Sequence, residues 1–149
     1  MTDVHLLRLP VRIWAQSQEH TDALLREFAL ITLGATEPPD VPARLLELME
    51  SISLRYLGSA AHQEKTLCEA ADAGLMVLED LRYDVSASVV PVLQALEVMF
   101  EEADAYCAQG QHLLTLEASR EVVRFRRWLL AQFVDQVAGR PAVAWPAWP

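Results

Sequence analysis

Arginines near the C-terminus are the first residues whose type and spacing suggest a chemistry. Arg120, Arg124 and Arg127 lie three or four positions apart, so on a helix they share one face. A guanidinium group binds carboxylate or phosphate through a planar fork of N–H donors. The face is therefore a candidate site for an anion or an acidic partner protein. The same pattern also suits surface ion pairs with an acidic neighbouring helix, which contribute little stability.

A tail with two tryptophans follows these arginines. Residues 140–149 contain several prolines, so we expect an extended segment. Two exposed tryptophans would favour aggregation, and the tail is therefore expected to pack on its own chain, on a second copy or on a partner. Aromatic side chains are common anchors of interfaces. The candidate partner-binding residues are Arg120, Arg124, Arg127, Trp145 and Trp148.

The sequence contains few residues in patterns typical of catalytic or metal-binding sites. The four histidines (His5, His20, His62 and His112) have no partner at the three- or four-residue spacing that places two metal ligands on one helix face. His20 could accept a phosphoryl group, but Thr21 and Asp22 stand where phosphotransfer proteins usually have lysine and glycine. Glycine-rich phosphate loops and nucleophile elbows are lacking. We predict no catalytic residues, no cofactor and no metal, and hence a protein that is not an enzyme.

Charge and cysteine content restrict the partners and the compartment. The net charge is −9, and residues 37–111 hold 14 acidic and 4 basic side chains. Such an acidic surface disfavours nucleic acid and anionic membranes. Cys68 and Cys107 are interpreted as buried small apolar side chains, the alternative being a redox pair. With no signal peptide and no apolar stretch long enough for a membrane span, we expect a cytoplasmic protein.

Helices must position the candidate residues, because apolar residues recur every three or four positions along most of the chain. The pattern predicts helices at about 10–33, from Asp40 to Gly58, 59–82, 89–110 and 115–137. No run alternates apolar and polar residues long enough for a sheet core. We therefore predict an all-α, antiparallel bundle of four to five helices in a single domain, residues 1–149. Residues 1–9 form an extended lead-in, which can pair as a short strand or lie across the bundle.

Several segments resemble a small family of actinobacterial helical proteins. They cover both ends and about half of the chain: Leu9–His20, Leu24–Ile31, Ala105–Cys107, Leu113–Leu116, Phe125–Gly139 and the closing Trp-Pro. Proteins of this family look like companions of anti-sigma ATP-binding proteins and stress-signalling phosphatases. The resemblance implies a regulatory role in partner-switching signalling and no catalytic residues. The chain lacks the ATP-binding motifs of those companions, so it is not itself the kinase.

The leading hypothesis is a non-enzymatic regulatory protein that offers helical surfaces to a protein partner. The alternative is a small-ligand-binding bundle with an apolar pocket between helices, lined by Trp14, Phe100 or Tyr106. The apolar fraction of 52% and the tryptophan tail also suggest a homodimer.

Overall fold

The computed structural model describes residues 1–37, 39–109 and 118–148, and for residues 53–59 it describes the backbone alone. The elements follow in the order β1 (Thr2–Pro10), α1 (Val11–Gly34), α2 (Asp40–Asp72), β2 (Val77–Val85), α3 (Val89–Ala108) and α4 (Arg120–Val137). The two strands pair antiparallel, with Leu6 opposite Leu81. The prediction of an all-α bundle is therefore wrong, and the described chain combines helices with a two-stranded sheet.

The side chains of β1 change face partway along the strand, which explains why the sequence shows no regular alternation of apolar and polar residues there. Val4 and Leu6 point inward and are fully buried, as strand geometry requires. Arg8 then adopts a positive φ of 56° and is exposed, and Leu9 turns inward instead. In β2 the inward residues Leu78 and Leu81 are likewise three apart. A three-residue spacing is also typical of a helix, which is why the pattern predicts one that includes residues 77–82.

The positions of Gly58 and Gly74 relative to α2 differ from those that the sequence pattern predicts. The pattern predicts a helix end at Gly58, but α2 continues through it to Asp72. It predicts Gly74 inside a helix, but with a φ of 73° this residue follows the end of α2. The Leu75 N–H donates to the Ala70 carbonyl at 3.0 Å, which closes a Schellman motif there. The prediction that Gly139 ends the last helix is confirmed, and its φ is 90°.

The other helix boundaries agree with the sequence where they are described. α1 ends at Gly34, and α3 begins at Val89. α4 begins at Arg120 because the hydroxyl of Ser119 accepts a hydrogen bond from the Val122 N–H at 3.2 Å. The predicted start of this helix at Thr115 and the predicted end of α3 at Gly110 lie outside the described residues.

Two apolar clusters share the long helices α1 and α2. One cluster joins the sheet to α4 and the tail, and its centre includes Leu6, Phe125 and Trp128. The other joins the C-terminal half of α1 to α2 and α3 around Phe28 and Leu45. Trp14 from α1 lies in the first cluster and Phe100 from α3 in the second. The N-terminal end of α1 therefore packs against the sheet through Val11 and Trp14, and its C-terminal half packs in the second cluster.

Side-chain and tail groups cover the outer edge of β1. The amide of Gln136 accepts from the His5 N–H and donates to the His5 carbonyl, both at 2.8 Å. The Trp145 N–H donates to the Leu7 carbonyl at 3.0 Å. An exposed strand edge is a template for pairing with another chain, and these contacts protect it.

Tyr83 in β2 makes the stability of the fold sensitive to alkaline pH. Burial, with a smaller contribution from the Glu64 carboxylate, raises the pKa of Tyr83 to about 12. Its phenol titrates at about 10 in the unfolded chain, so between these values only the folded state keeps the proton and stability falls as pH rises. We expect the free energy of unfolding to decrease by about 2 kcal/mol between pH 10 and 12, measured by urea denaturation.

A Tyr83→Phe variant should lose this part of the pH dependence. Tyr106 is a matched control, because both tyrosines pack edge to face on a phenylalanine, Tyr83 on Phe133 and Tyr106 on Phe28. Tyr106→Phe should therefore keep the decrease that Tyr83 causes. Identical slopes in the Tyr83→Phe variant and the wild type would show that the phenol of Tyr83 does not produce it.

Candidate functional site

The three predicted partner-binding arginines of α4 have separate surroundings. Arg124 lies with its guanidinium 4.5 Å from the ring centre of Trp145 and donates to the carbonyl of Trp148 at 2.7 Å. Arg127 pairs with Glu101 of α3 at 3.5 Å, and both side chains are about half exposed. Arg120 is exposed and has no carboxylate partner among the described residues. The structure therefore leaves Arg120 as the member of this face that is open to a partner.

The tryptophan tail docks on its own chain. Trp145 is 8% exposed, and its ring lies 5.7 Å from that of Trp128 and 6.2 Å from that of Phe125. The indole N–H of Trp128 donates to the carbonyl of Val143 at 2.8 Å. Trp148 is partly buried against the same cluster. Trp145 therefore contributes to the core, and it also forms one wall of the cavity described next.

A cavity of about 720 Å³ lies where the start of α1, the turn between α2 and β2, and the tail meet. Its charged lining residues are Arg8, Arg12 and Glu121, and its apolar ones include Ile13, Val77 and Trp145. At its mouth Leu75 is 51% exposed and Met76 is 82% exposed. We call this cavity the arginine groove. It combines basic groups with apolar surface that faces the solvent.

A second cleft of about 520 Å³ continues from the arginine groove along α1. It is lined by Gln16, His20, Ser119, Arg120, Glu121 and Val122, so Glu121 is common to both cavities. Arg12, Gln16 and His20 are spaced by four residues, which places them along one face of α1. The two cavities adjoin at Glu121, and the second cleft brings the sequence-predicted Arg120 and His20 together. His20 itself has an interaction within the structure.

The electrostatics of this surface differ from those of the rest of the described chain. Most arginines with described side chains pair with a carboxylate or a carbonyl group. Among the described residues, no such partner is found for Arg8, Arg12, Arg26 and Arg120. Three of these four line the two cavities. In a chain with a net charge of −9, the two cavities place three arginines near one described carboxylate, that of Glu121, and this local excess of positive charge favours an anionic occupant.

Comparisons with protein-family models, with curated proteins and with solved structures found no match. The chemistry that the surface can perform must therefore be read from its own side chains. Within the described residues, no group of three or more histidine, cysteine or acidic side chains is arranged to hold a metal ion. None of the helices in that part of the chain has the length and hydropathy needed to cross a bilayer.

Sequence reasoning missed Arg8, Arg12 and the exposed pair Leu75 and Met76. Arg8 lies in β1 and Arg12 in α1, and the sequence pattern predicts a helix where the turn that carries Leu75 lies. Nor do Trp14, Phe100 and Tyr106, the residues expected around an apolar pocket, line either cavity. The sequence did contain an indication of this pair of arginines. Arg8 and Arg12 are four residues apart and lie on either side of Pro10, where the strand ends and the helix begins.

Arg126 is a further residue whose role differs from that of its neighbours. Its side chain is 8% exposed, pairs with Asp104 of α3 and lies 4.6 Å from the ring centre of Phe100. Val122 and Leu130, four residues to either side, are buried too. Residues four apart share one face of a helix, so these apolar neighbours in the sequence indicate that Arg126 faces the interior and not the solvent.

Proposed function

We propose that this protein is a non-enzymatic regulatory protein that acts by binding another protein, in bacterial partner-switching signalling of the anti-sigma type. The observation that carries the proposal is the surface formed by the two cavities. There Arg8, Arg12 and Arg120 have no described carboxylate partner and adjoin the exposed Leu75 and Met76. Arginine and methionine are enriched where proteins bind each other, and exposed apolar groups beside charged ones are typical of such surfaces.

Features of the second cleft agree with binding rather than catalysis. The hydroxyl of Ser119 is engaged in capping α4, as an acceptor from the Val122 N–H. Arg120 and Glu121 next to it are exposed. A catalytic nucleophile needs an adjacent base and a site that excludes water. An exposed charged cleft suits recognition of a partner better.

Charge reversal on α1 tests this proposal. Arg12→Glu places a repulsive charge on the proposed surface, and Arg26→Glu is its matched control. Both arginines are exposed on the same helix and lack a described ion pair. Tagged variants would be expressed in the source organism, and co-purified proteins quantified by mass spectrometry. We expect Arg12→Glu to reduce recovery of one specific partner at least about tenfold, equivalent to ~1.4 kcal/mol, and Arg26→Glu to leave it unchanged.

The proposal fails if the wild-type protein enriches no protein over a tag-only control. It fails in its choice of surface if both variants recover the partner equally. Binding of the purified wild-type protein to ATP-binding anti-sigma proteins and phosphatases encoded near its gene would test the signalling role directly.

The size of the arginine groove favours a second candidate, a binder of small ligands. Its 720 Å³ falls within the range of roughly 300–1,000 Å³ typical of ligand pockets. Native mass spectrometry of the protein purified from the source organism would show a bound compound as a constant added mass. That mass should disappear in the Arg12→Glu variant if the compound occupies the groove.

A further inference from the structure

We infer that the arginine groove docks a short partner segment in which carboxylates stand next to one large apolar side chain. The inference rests on the proposed function and adds the chemistry of the occupant. Three features of the groove support it: the pair of arginines, the apolar lining with its exposed mouth, and the backbone of Arg8.

The charges of the groove select for acidic groups. Arg8 and Arg12 line the same cavity, and neither has a carboxylate partner among the described residues. Each guanidinium can bind a carboxylate through two parallel hydrogen bonds. Glu121 is the acidic residue among those lining the groove, and it repels a carboxylate brought near it. The carboxylates of the segment must therefore lie toward Arg8 and Arg12 and away from Glu121.

The apolar lining of the groove selects for the large apolar side chain of the partner segment. Ile13, Val77 and the buried Trp145 present hydrocarbon and ring surface inside the groove. Leu75 and Met76 extend this surface outward to the solvent. A partner side chain inserted here covers the lining and the mouth together, whereas a small compound inside the groove would leave Met76, which is 82% exposed, at the rim. This outward extension favours a protein segment as the occupant.

The backbone at Arg8 places its side chain in the groove. A non-glycine residue with a φ of 56° is uncommon and carries a conformational cost. In regular strand geometry Arg8 would follow Val4 and Leu6 toward the core. The positive φ instead sends Leu9 inward and leaves Arg8 exposed beside Arg12. Strained residues of this kind cluster at binding sites, because the surrounding structure maintains them there.

Photo-cross-linking in the source organism tests the inference. A benzophenone amino acid would replace Met76 at the mouth of the groove, and in separate variants Leu33 or Val98, which are exposed apolar residues of α1 and α3. We expect Met76 to give the dominant cross-link, to a partner segment that holds at least two acidic residues next to a large apolar one. A synthetic peptide of that segment should bind the purified protein at least tenfold more weakly after Arg12→Glu, and equally well after Arg26→Glu.

A bulky substitution tests occupation of the groove itself. Ala71 lines the groove but is exposed, so Ala71→Trp fills the space without entering the core. Ala61→Trp, also at an exposed position of α2, is the control. Only Ala71→Trp should abolish the Met76 cross-link, with an unchanged circular dichroism spectrum and melting temperature.

The possible outcomes separate this inference from the proposed function. Cross-links to a partner from Leu33 or Val98 alone overturn the groove and leave a binding protein. Cross-links at none of the three positions, together with no co-purified partner, overturn both. A Met76 cross-link to a second copy of this chain, or to a segment without acidic residues, overturns the assigned occupant.

Discussion

Replacing Trp128 with alanine is expected to lower the free energy of unfolding by about 3–5 kcal/mol. The side chain is fully buried and packs on Phe125 at 5.8 Å and on Trp145 at 5.7 Å between ring centres. Its removal leaves a cavity in the sheet-side cluster and deprives the Val143 carbonyl of its donor. Domains are typically stable by only ~5–15 kcal/mol, so this is a large fraction of the total.

Urea and thermal unfolding measure the effect. At roughly 2–4 °C per kcal/mol for a chain of this size, the melting temperature should fall by about 6–20 °C. The indole N–H of Trp128 donates to the carbonyl of Val143 in the tail. The tail of the Trp128→Ala variant should therefore also become sensitive to limited proteolysis. Trp148→Ala is the control, since that side chain is only partly buried and should cost much less. A Trp128→Ala variant within 1 kcal/mol of the wild type would contradict the docking of the tail described above.

Removing the carboxylate of Asp104 is expected to cost about 3–5 kcal/mol, because it leaves the buried Arg126 without a counter-charge. Arg126 and Asp104 join α4 to α3, with exposed side-chain fractions of 8% and 16%. The carboxylate also accepts from the Ala118 N–H at 3.3 Å, so Asp104→Ala removes one contact with α4 and one with the residues just before it. Chemical denaturation of Asp104→Ala measures the loss.

A double variant separates charge from packing in this pair. Asp104→Leu combined with Arg126→Met removes both charges, and apolar replacement of a buried ion pair is often neutral or stabilising. We expect the double variant to recover most of the stability lost in Asp104→Ala. The exposed pair of Arg127 with Glu101 is the comparison, and Glu101→Ala should change stability by less than about 1 kcal/mol. Equal losses for Asp104→Ala and Glu101→Ala would show that burial does not govern the strength of the Arg126 pair.

These two variants also bear on the candidate site. Trp145 lines the arginine groove and depends on Trp128, while the start of α4 carries Arg120 and Glu121 into the neighbouring cleft. The core therefore positions the proposed binding surface, although the binding residues themselves are exposed. Arg12 and Arg26 are exposed, so reversing their charges changes recognition without disturbing this core.

The amino-acid sequence by itself determined the elements whose apolar residues repeat locally. The stripe along residues 10–33 predicts α1, Pro91 near the start of a helical pattern predicts α3, and Gly139 marks the end of α4. Proline at position 10 indicates the extended lead-in that forms β1. Each of these signals acts within a few residues, through the helical repeat, the restricted backbone of proline or the freedom of glycine.

Only the tertiary structure decided the pairing of the strands and the composition of the site. β1 and β2 are separated by two long helices, so hydrogen bonding between them has no local signature. The change of face at Arg8 hides the alternation in β1, and Leu78 and Leu81 keep a helical spacing within a strand. Arg8, Arg12, Met76 and Trp145 meet because the sheet, α1 and the tail pack together. Neighbouring arginines on α4 likewise differ in role because packing buries Arg126, attaches Arg124 to the tail and leaves Arg120 exposed.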